Sequence, residues 1–216
     1  MAQAKAPWAA RTSRAGKDSR TRSLLLECAA RVFARLGYAR TTVADIAEEA
    51  RVSRATCYVY YASKADVFQA VAQRVRDEFL AAHELPGVDA DDAYGLARSS
   101  TAAFLTAYTA NLELMTVIEH QSIADPQIAR IWQEIQERPM RRTARYIDRL
   151  AARGEARPAA PARAIAQATY GMFAQFARIV AEDPGRRAEA VEHLTAMYLR
   201  LLGLPETPGR APRTAG

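Results

Sequence analysis

Cysteine, histidine and glycine are scarce in this chain, and each shortage removes a class of chemistry. There are two cysteines, Cys28 and Cys57, each on the apolar face of a helical pattern. A single pair gives no disulfide framework of the secreted kind, and neither belongs to a C-x-x-C pair. Both read as small buried hydrophobes; a redox switch is the sharper alternative, and no neighbouring motif favours a thiolate. His83, His120 and His193 are isolated, and Glu119-His120 lacks the second histidine of a zinc helix. No metal site and no cofactor are expected. There is no glycine-rich phosphate loop, no paired acids and no nucleophile beside a base, so the chain is expected not to be an enzyme. A helical enzyme whose site escapes such motifs is the alternative of a different class.

Long apolar runs are missing too. Leu24 to Leu26 and Phe104-Leu105 are interrupted far short of the ~20 apolar residues that span a bilayer, so no transmembrane helix is expected. The basic N-terminus lacks the apolar stretch and cleavage site of a secretory signal, which makes the cytoplasm the default compartment. Alternating runs of valine, isoleucine and threonine are rare, whereas alanine, leucine and arginine abound, and that balance predicts an all-α fold. The 216 residues accommodate one small domain and one larger one.

What is present is an uneven charge. Residues Met1 to Lys64 hold 12 Lys+Arg against 5 Asp+Glu, whereas Ala65 to Gly216 hold 18 against 19. The whole positive excess lies in the first third, which points to a polyanionic partner there; a solvated basic tail is the plain alternative.

Along the chain, Met1 to about Ser19 lacks helical periodicity and reads as a basic flexible arm. A first helix runs from about Arg20 to Leu36, with Gly37 placed for a left-handed C-terminal cap. Thr42, followed by Asp45, opens a second helix to Ala50 in a near capping box. After a break at Arg51 and Val52, Ser53 caps a third helix, Arg54 to Tyr61, and Ser63 caps a fourth, Lys64 to about Leu85. Pro86 to Asp92 reads as a loop. Helices are then predicted over Asp92 to Ala110, Asn111 to Ala124, Pro126 to Arg153, Pro161 to Glu182 and Arg186 to Leu202, and Pro205 to Gly216 reads as a flexible tail. The organisation expected is an arm (1–19), a small helical domain (20–64), a larger helical domain (65–204) and a tail (205–216).

A short helix, a tight turn and a second short helix with small or polar residues at its start form a helix-turn-helix. Val43, Ile46, Ala47, Val52, Cys57 and Tyr61 supply its shared core, leaving Arg54, Ala55, Thr56, Tyr58 and Tyr60 to project outward. An arginine fork there can take guanine O6 and N7 together.

From about Leu25 to Phe79 the chain resembles the TetR family of transcriptional regulators. The resemblance rests on LLECAARVFARLGYARTTVADIAEEA, then VSRATCYVYY in place of the family's recognition segment, then Ser63-Lys64 and an apolar helix. It implies a three-helix DNA-binding domain followed by a helical ligand-binding and dimerisation bundle. It also implies that Thr42 contacts a phosphate, that Ala44 approaches the bases, and that Arg54, Ala55, Thr56 and Tyr58 line the major groove. Tyr60 and Lys64 would hold the phosphate backbone, with Ser53 and Arg51 at the edge of the same surface. Arg51 and Ala55 depart from the family, which usually has glycine in the turn and often in the recognition helix; Arg51 is expected in a left-handed conformation or in an altered turn with a phosphate contact.

In the second domain, the resemblance implies an effector cavity, and the ligand-lining candidates are Phe104, Tyr108, Met115, Trp132, Tyr170 and Phe173. Plain core packing is the bland alternative for each. The last two helices are expected to pair two copies, with Val191, Leu194, Tyr198, Leu201 and Leu202 on one face and intrachain packing as the alternative. The function implied is a ligand-released repressor acting as a homodimer on palindromic operator DNA, with no membrane partner. A nonspecific DNA-coating protein is a further alternative, which leaves the charge-balanced bundle without a task.

Overall fold

The computed structural model describes residues 7–82, 84 and 92–204, with side chains from Asp18 onward, apart from a few positions. Among the described residues there are nine α-helices and no strand. They are α1 (Pro7–Arg40), α2 (Val43–Glu49), α3 (Arg54–Tyr60), α4 (Lys64–Ala81), α5 (Ala93–Ala110), α6 (Leu112–Ser122), α7 (Pro126–Ala152), α8 (Ala162–Glu182) and α9 (Arg187–Leu202). The residues 86–91 of the expected loop and the tail from Pro205 lie outside the described residues.

Local chemistry fixes the helix ends. Gly37, at φ 74°, interrupts α1 where the sequence places a left-handed stop. Thr42, Ser53 and Ser63 each accept a hydrogen bond from the backbone N–H three residues on, which satisfies one of the orphan donors at the starts of α2, α3 and α4. Asp125 does the same for α7, with Pro126 at its first position. At the far end of α9, Gly203 takes φ 70°, and the chain after α7 returns so that Arg157 and Ala159 donate to the carbonyls of Leu202 and Leu201 at 2.9 Å each.

Two sequence expectations are corrected. The first helix begins at Pro7 rather than near Arg20, so the backbone of Pro7 to Ser19 is helical and not an irregular arm. Periodicity misses this stretch because its alanines and basic residues carry no apolar stripe, although they are good helix formers and Pro7 starts a helix without sacrificing a bond. The second concerns α9: Val191, Leu194, Tyr198 and Leu202 are buried inside a single chain, so that stripe packs internally.

Helix α4 ties the two halves together. Val67, Phe68, Val71, Ala72, Val75 and Phe79 are all buried along it. At its start, Phe68 meets Phe33 and Tyr38 of α1 edge-on, with ring centroids 4.9 Å apart in both pairs. At its end, Phe79 joins the aromatic residues of the bundle. Burying each such ring contributes about 1.5–3 kcal/mol, so both ends of α4 are held firmly. Arg76 adds an ion pair from α4 to Glu134 of α7 at 3.1 Å.

Candidate functional site

The α2–α3 unit is built around Ile46, Ala47, Cys57 and Tyr61, all buried. Burial pushes both the Cys28 and Cys57 thiols up, which keeps them protonated as packing groups. The turn between the helices closes on Arg51, the only non-glycine residue with positive φ (53°) among the described residues. Its left-handed conformation lets Val52 N–H donate to the Ala47 carbonyl at 2.9 Å.

On α3, Arg54, Ala55, Tyr58 and Val59 form one exposed face, with Tyr58 55% and Val59 77% accessible. The spacing i, i+1, i+4, i+5 is one side of a helix, opposite the buried Cys57. Two exposed large apolar side chains beside an arginine on a short braced helix are what a groove-reading surface needs: a fork for guanine and apolar contact for a thymine methyl. Sequence reading missed Val59; counting four residues on from Ala55 finds it.

The other expected DNA contacts are engaged within the protein. The exposed Thr42 hydroxyl donates to Asp45 at 2.7 Å, and the Thr42 backbone N–H donates to the same carboxylate at 2.7 Å, completing the capping box. Those two hydrogen bonds, with the Thr42 hydroxyl's the larger influence, hold the Asp45 carboxyl below the usual carboxylate range. Ser53 and Thr56 hydroxyls share a hydrogen bond at 2.9 Å, and Ala44 is half-buried at the edge of the surface. Tyr60 does not project outward as the sequence suggested. It is half-buried and its hydroxyl donates to Asp18 of α1 at 3.3 Å, because position 60 lies three residues after the inward-facing Cys57. Lys64 donates to the Tyr38 carbonyl at 3.0 Å and the Ala39 carbonyl at 3.4 Å, with its ammonium 4.5 Å from the Tyr38 ring centroid. A cation at the C-terminal carbonyls of α1 is favourable, and it fixes α4 to α1.

The second feature is a cavity of about 280 Å³ among α5, α7, α8 and α9. Phe104, Tyr170 and Phe173 line it, as the sequence suggested. Tyr108, Met115 and Trp132 do not. Tyr108 and Met115 are buried core, and Trp132 packs against that core from outside. Phe104 is the hub of the aromatic wall: its ring centroid lies 5.4 Å from Phe79, 5.4 Å from Tyr108, 5.6 Å from Tyr170 and 5.3 Å from Phe173. Helix α7 adds Pro139, Met140, Arg142, Thr143, Tyr146 and Arg149, none of which sequence reading selected. Their spacing was legible, since 139, 142, 146 and 149 recur at three and four residues, but arginines in a stripe read as solvated charge. Burial pushes the Tyr170 and Tyr198 phenols far up, leaving neutral hydroxyls at the cavity wall.

No helix among the described residues is long and apolar enough to cross a membrane, and no group of three His, Cys, Asp or Glu is placed to hold a metal ion there.

An exposed helix braced by a second, joined through one long helix to a cavity-bearing bundle, defines a helix-turn-helix regulator with a helical C-terminal domain. Known proteins agree. The profile of bacterial regulatory proteins of the tetR family matches residues 25–71, and that of the C-terminal domain of the transcriptional regulator EthR matches residues 97–202. The chain belongs to the TetR family, whose members are regulators rather than enzymes. The HTH-type transcriptional regulator TtgR of Pseudomonas putida is 42% identical over 57 residues, 26% of this chain. That match spans only about a quarter (27%) of TtgR's own length. A TetR-like transcriptional regulator from Rhodococcus sp. RHA1 superposes with a TM-score of 0.67 at 23% identity, covering 83% of this chain and 94% of that one. Salmonella enterica GusR gives 0.67 at 20% identity, covering 85% and 95%. Both structures share the fold.

Proposed function

We propose that this chain is a homodimeric transcriptional repressor that reads a palindromic operator with α3 and lets go when a small, largely apolar molecule fills the bundle cavity. The observation that carries the reading is the exposed Arg54, Ala55, Tyr58 and Val59 face, held rigidly by the capped α2 and the Arg51 turn. The excess positive charge of the first 64 residues supports a DNA partner and a cytoplasmic site of action. Arg54 reads bases; Ala44, Ala55, Thr56, Tyr58 and Val59 shape the groove contact. Thr42, Arg51 and Ser53 flank it as phosphate contacts, Thr42 by turning its hydroxyl proton from Asp45 to DNA.

Dimerisation is assigned to α8 and α9 through the side the chain leaves open. Gln167, Ala168, Gly171 and Gln175 are exposed along one face of α8, and small residues allow close approach of a second copy. Two reading heads ~34 Å apart would then meet successive major grooves on one side of the duplex. Release follows from geometry: a ligand that pushes on Phe104 pushes on Phe79 and so tilts α4, which carries the reading head at its other end.

The test is operator anisotropy with the full-length protein while a cavity-filling compound is titrated. Ligand is expected to weaken operator binding by a factor of roughly 5 to 150, and operator to weaken ligand binding by the same factor. Equal affinities with and without the partner would exclude the release step, and failure to discriminate any sequence from bulk DNA would exclude the reading as a whole.

A further inference from the structure

The cavity wall is asymmetric in charge. Among the described residues no aspartate or glutamate lines it, whereas Arg142 and Arg149 both do, on one side of α7 with Tyr146 between them. Several other arginines of the bundle sit in ion pairs, Arg76 and Arg138 with Glu134, Arg163 with Glu137 and Arg178 with Glu119, whereas solvent-facing ones such as Arg130 and Arg145 do not. Neither Arg142 nor Arg149 has an ion pair within 4 Å among the described residues. The guanidinium carbon of Arg149 instead lies 5.8 Å from the Tyr146 ring centroid. Arg142 is exposed as a whole residue, yet desolvation by the surrounding protein lowers its pKa, with Glu84 acting in the opposite sense. Deeper in, the Thr169 hydroxyl is buried without a hydrogen-bond partner, and the remaining wall includes Phe104 and Phe173.

We propose that the effector is amphipathic, with an apolar body lying against Phe104 and Phe173 and an oxyanion head, a carboxylate or phosphate, received by Arg142 and Arg149. This rests on the reading of the cavity as the effector site and adds the chemical class. A partly desolvated guanidinium without a counter-ion favours an anion, and its planar fork presents paired N–H donors to two oxygens of one head group. A cationic head would face two guanidiniums, with Glu84, outside the described cavity lining, as the one carboxylate that acts on Arg142. A neutral alcohol would satisfy Thr169 but leave the arginine pair unchanged.

The experiment uses the full-length protein and a head-group series on one chain: decanoate, decyl phosphate, decanol and decylamine, with hydrocinnamate and hydrocinnamyl alcohol as an aromatic pair. Affinity is read by calorimetry and by operator release. The anions are expected to bind tighter than the matching alcohol by roughly tenfold or more, and decylamine to bind weakest. The better of decanoate and decyl phosphate identifies the head. In the double variant Arg142→Gln, Arg149→Gln the preference for the anion over decanol is expected to fall to within about twofold, while decanol still binds and still releases operator. Arg142→Glu, which reverses the charge at the cavity wall, is expected to move the preference toward decylamine. Wild-type protein that binds anion and alcohol equally, or a double variant that keeps the preference, overturns the inference. If alcohols bind and release operator without an anion preference, the effector site stands and only the head-group assignment fails. If no compound in the series binds, both fail.

Discussion

Phe79, near the end of α4, meets Phe104 of α5 edge to face, with ring centroids 5.4 Å apart and planes at 79°. Phe104 is also cavity wall, so one aromatic contact separates the space between the helices from the rod that carries the reading head. At the other end of that rod, Lys64 is bound to the last carbonyls of α1. In the proposed release step, a push at Phe79 would reach α1 and the α2–α3 unit through these packed and hydrogen-bonded groups.

Phe79→Leu keeps an apolar side chain at a fully buried position but removes the ring that meets Phe104. The expected result is ligand and operator affinities close to wild type when measured separately, with the coupling factor between them reduced toward one. Calorimetric titration of ligand into free and operator-bound protein measures it, and an unchanged factor would mean the push travels by another contact, such as the Arg76 to Glu134 ion pair.

Lys64→Met retains the stem and removes the ammonium. Loss of the carbonyl contacts and of the Tyr38 ring contact is expected to cost about 1 kcal/mol, a fall of roughly 2–4 °C in melting temperature for a chain of this size. Operator affinity should fall with the consensus unchanged, since Lys64 orients α4 without touching bases. A variant that melts like wild type would show the contacts to be incidental.

Arg51 pays for its left-handed backbone. Relief of about 1–2 kcal/mol on Arg51→Gly is partly offset by the extra freedom of glycine in the unfolded chain, about 0.4–1 kcal/mol, so a small net stabilisation is expected. Arg51→Val, β-branched at positive φ, should destabilise. Denaturant midpoints of the two variants decide it, and a fall for Arg51→Gly would show that the arginine side chain contributes a contact that outweighs the strain.

Gly171 lies mid-way along α8 on the outward side, and a Cβ built there meets nothing within 4 Å. Gly171→Arg should leave the single chain folded, and even favour the helix, while blocking the approach of a second copy. Light scattering is expected to report a monomer with greatly weakened operator binding. A variant that remains dimeric would place the pairing surface elsewhere.

How much could be read from the sequence follows the range of each signal. The caps at Thr42, Ser53 and Ser63, the stop at Gly37 and the left-handed turn at Arg51 are decided within four residues, and all of them appear in the structure. The early start of α1 was missed because a helix without an apolar stripe has no periodicity to detect. Phe104, Tyr108 and Met115 share the helical spacing of core residues, and whether such a residue faces a cavity or another side chain depends on helices distant in sequence. So Phe104 proved to be wall while Tyr108 and Met115 proved to be core. Arg142 and Arg149 were invisible for the same reason: an arginine on a helix reads as solvated until the absence of a nearby carboxylate can be seen in space. Tyr60 and Lys64 read as backbone contacts to DNA, and in the folded chain their polar atoms meet Asp18 and the end of α1.

Selection of binding sites from a random duplex pool by the full-length protein, repeated with Arg54→Ala, tests the central claim most directly. The expected result is a palindrome whose half-site centres lie about one helical turn apart, or a multiple of it, bound ~10³-fold or more tighter than bulk DNA at fixed salt. Arg54→Ala should lose discrimination at one position of each half-site, at a cost of about 1–3 kcal/mol there. A pool that shows no enriched sequence, or one whose consensus is the same with and without Arg54, would contradict a sequence-reading role for α3.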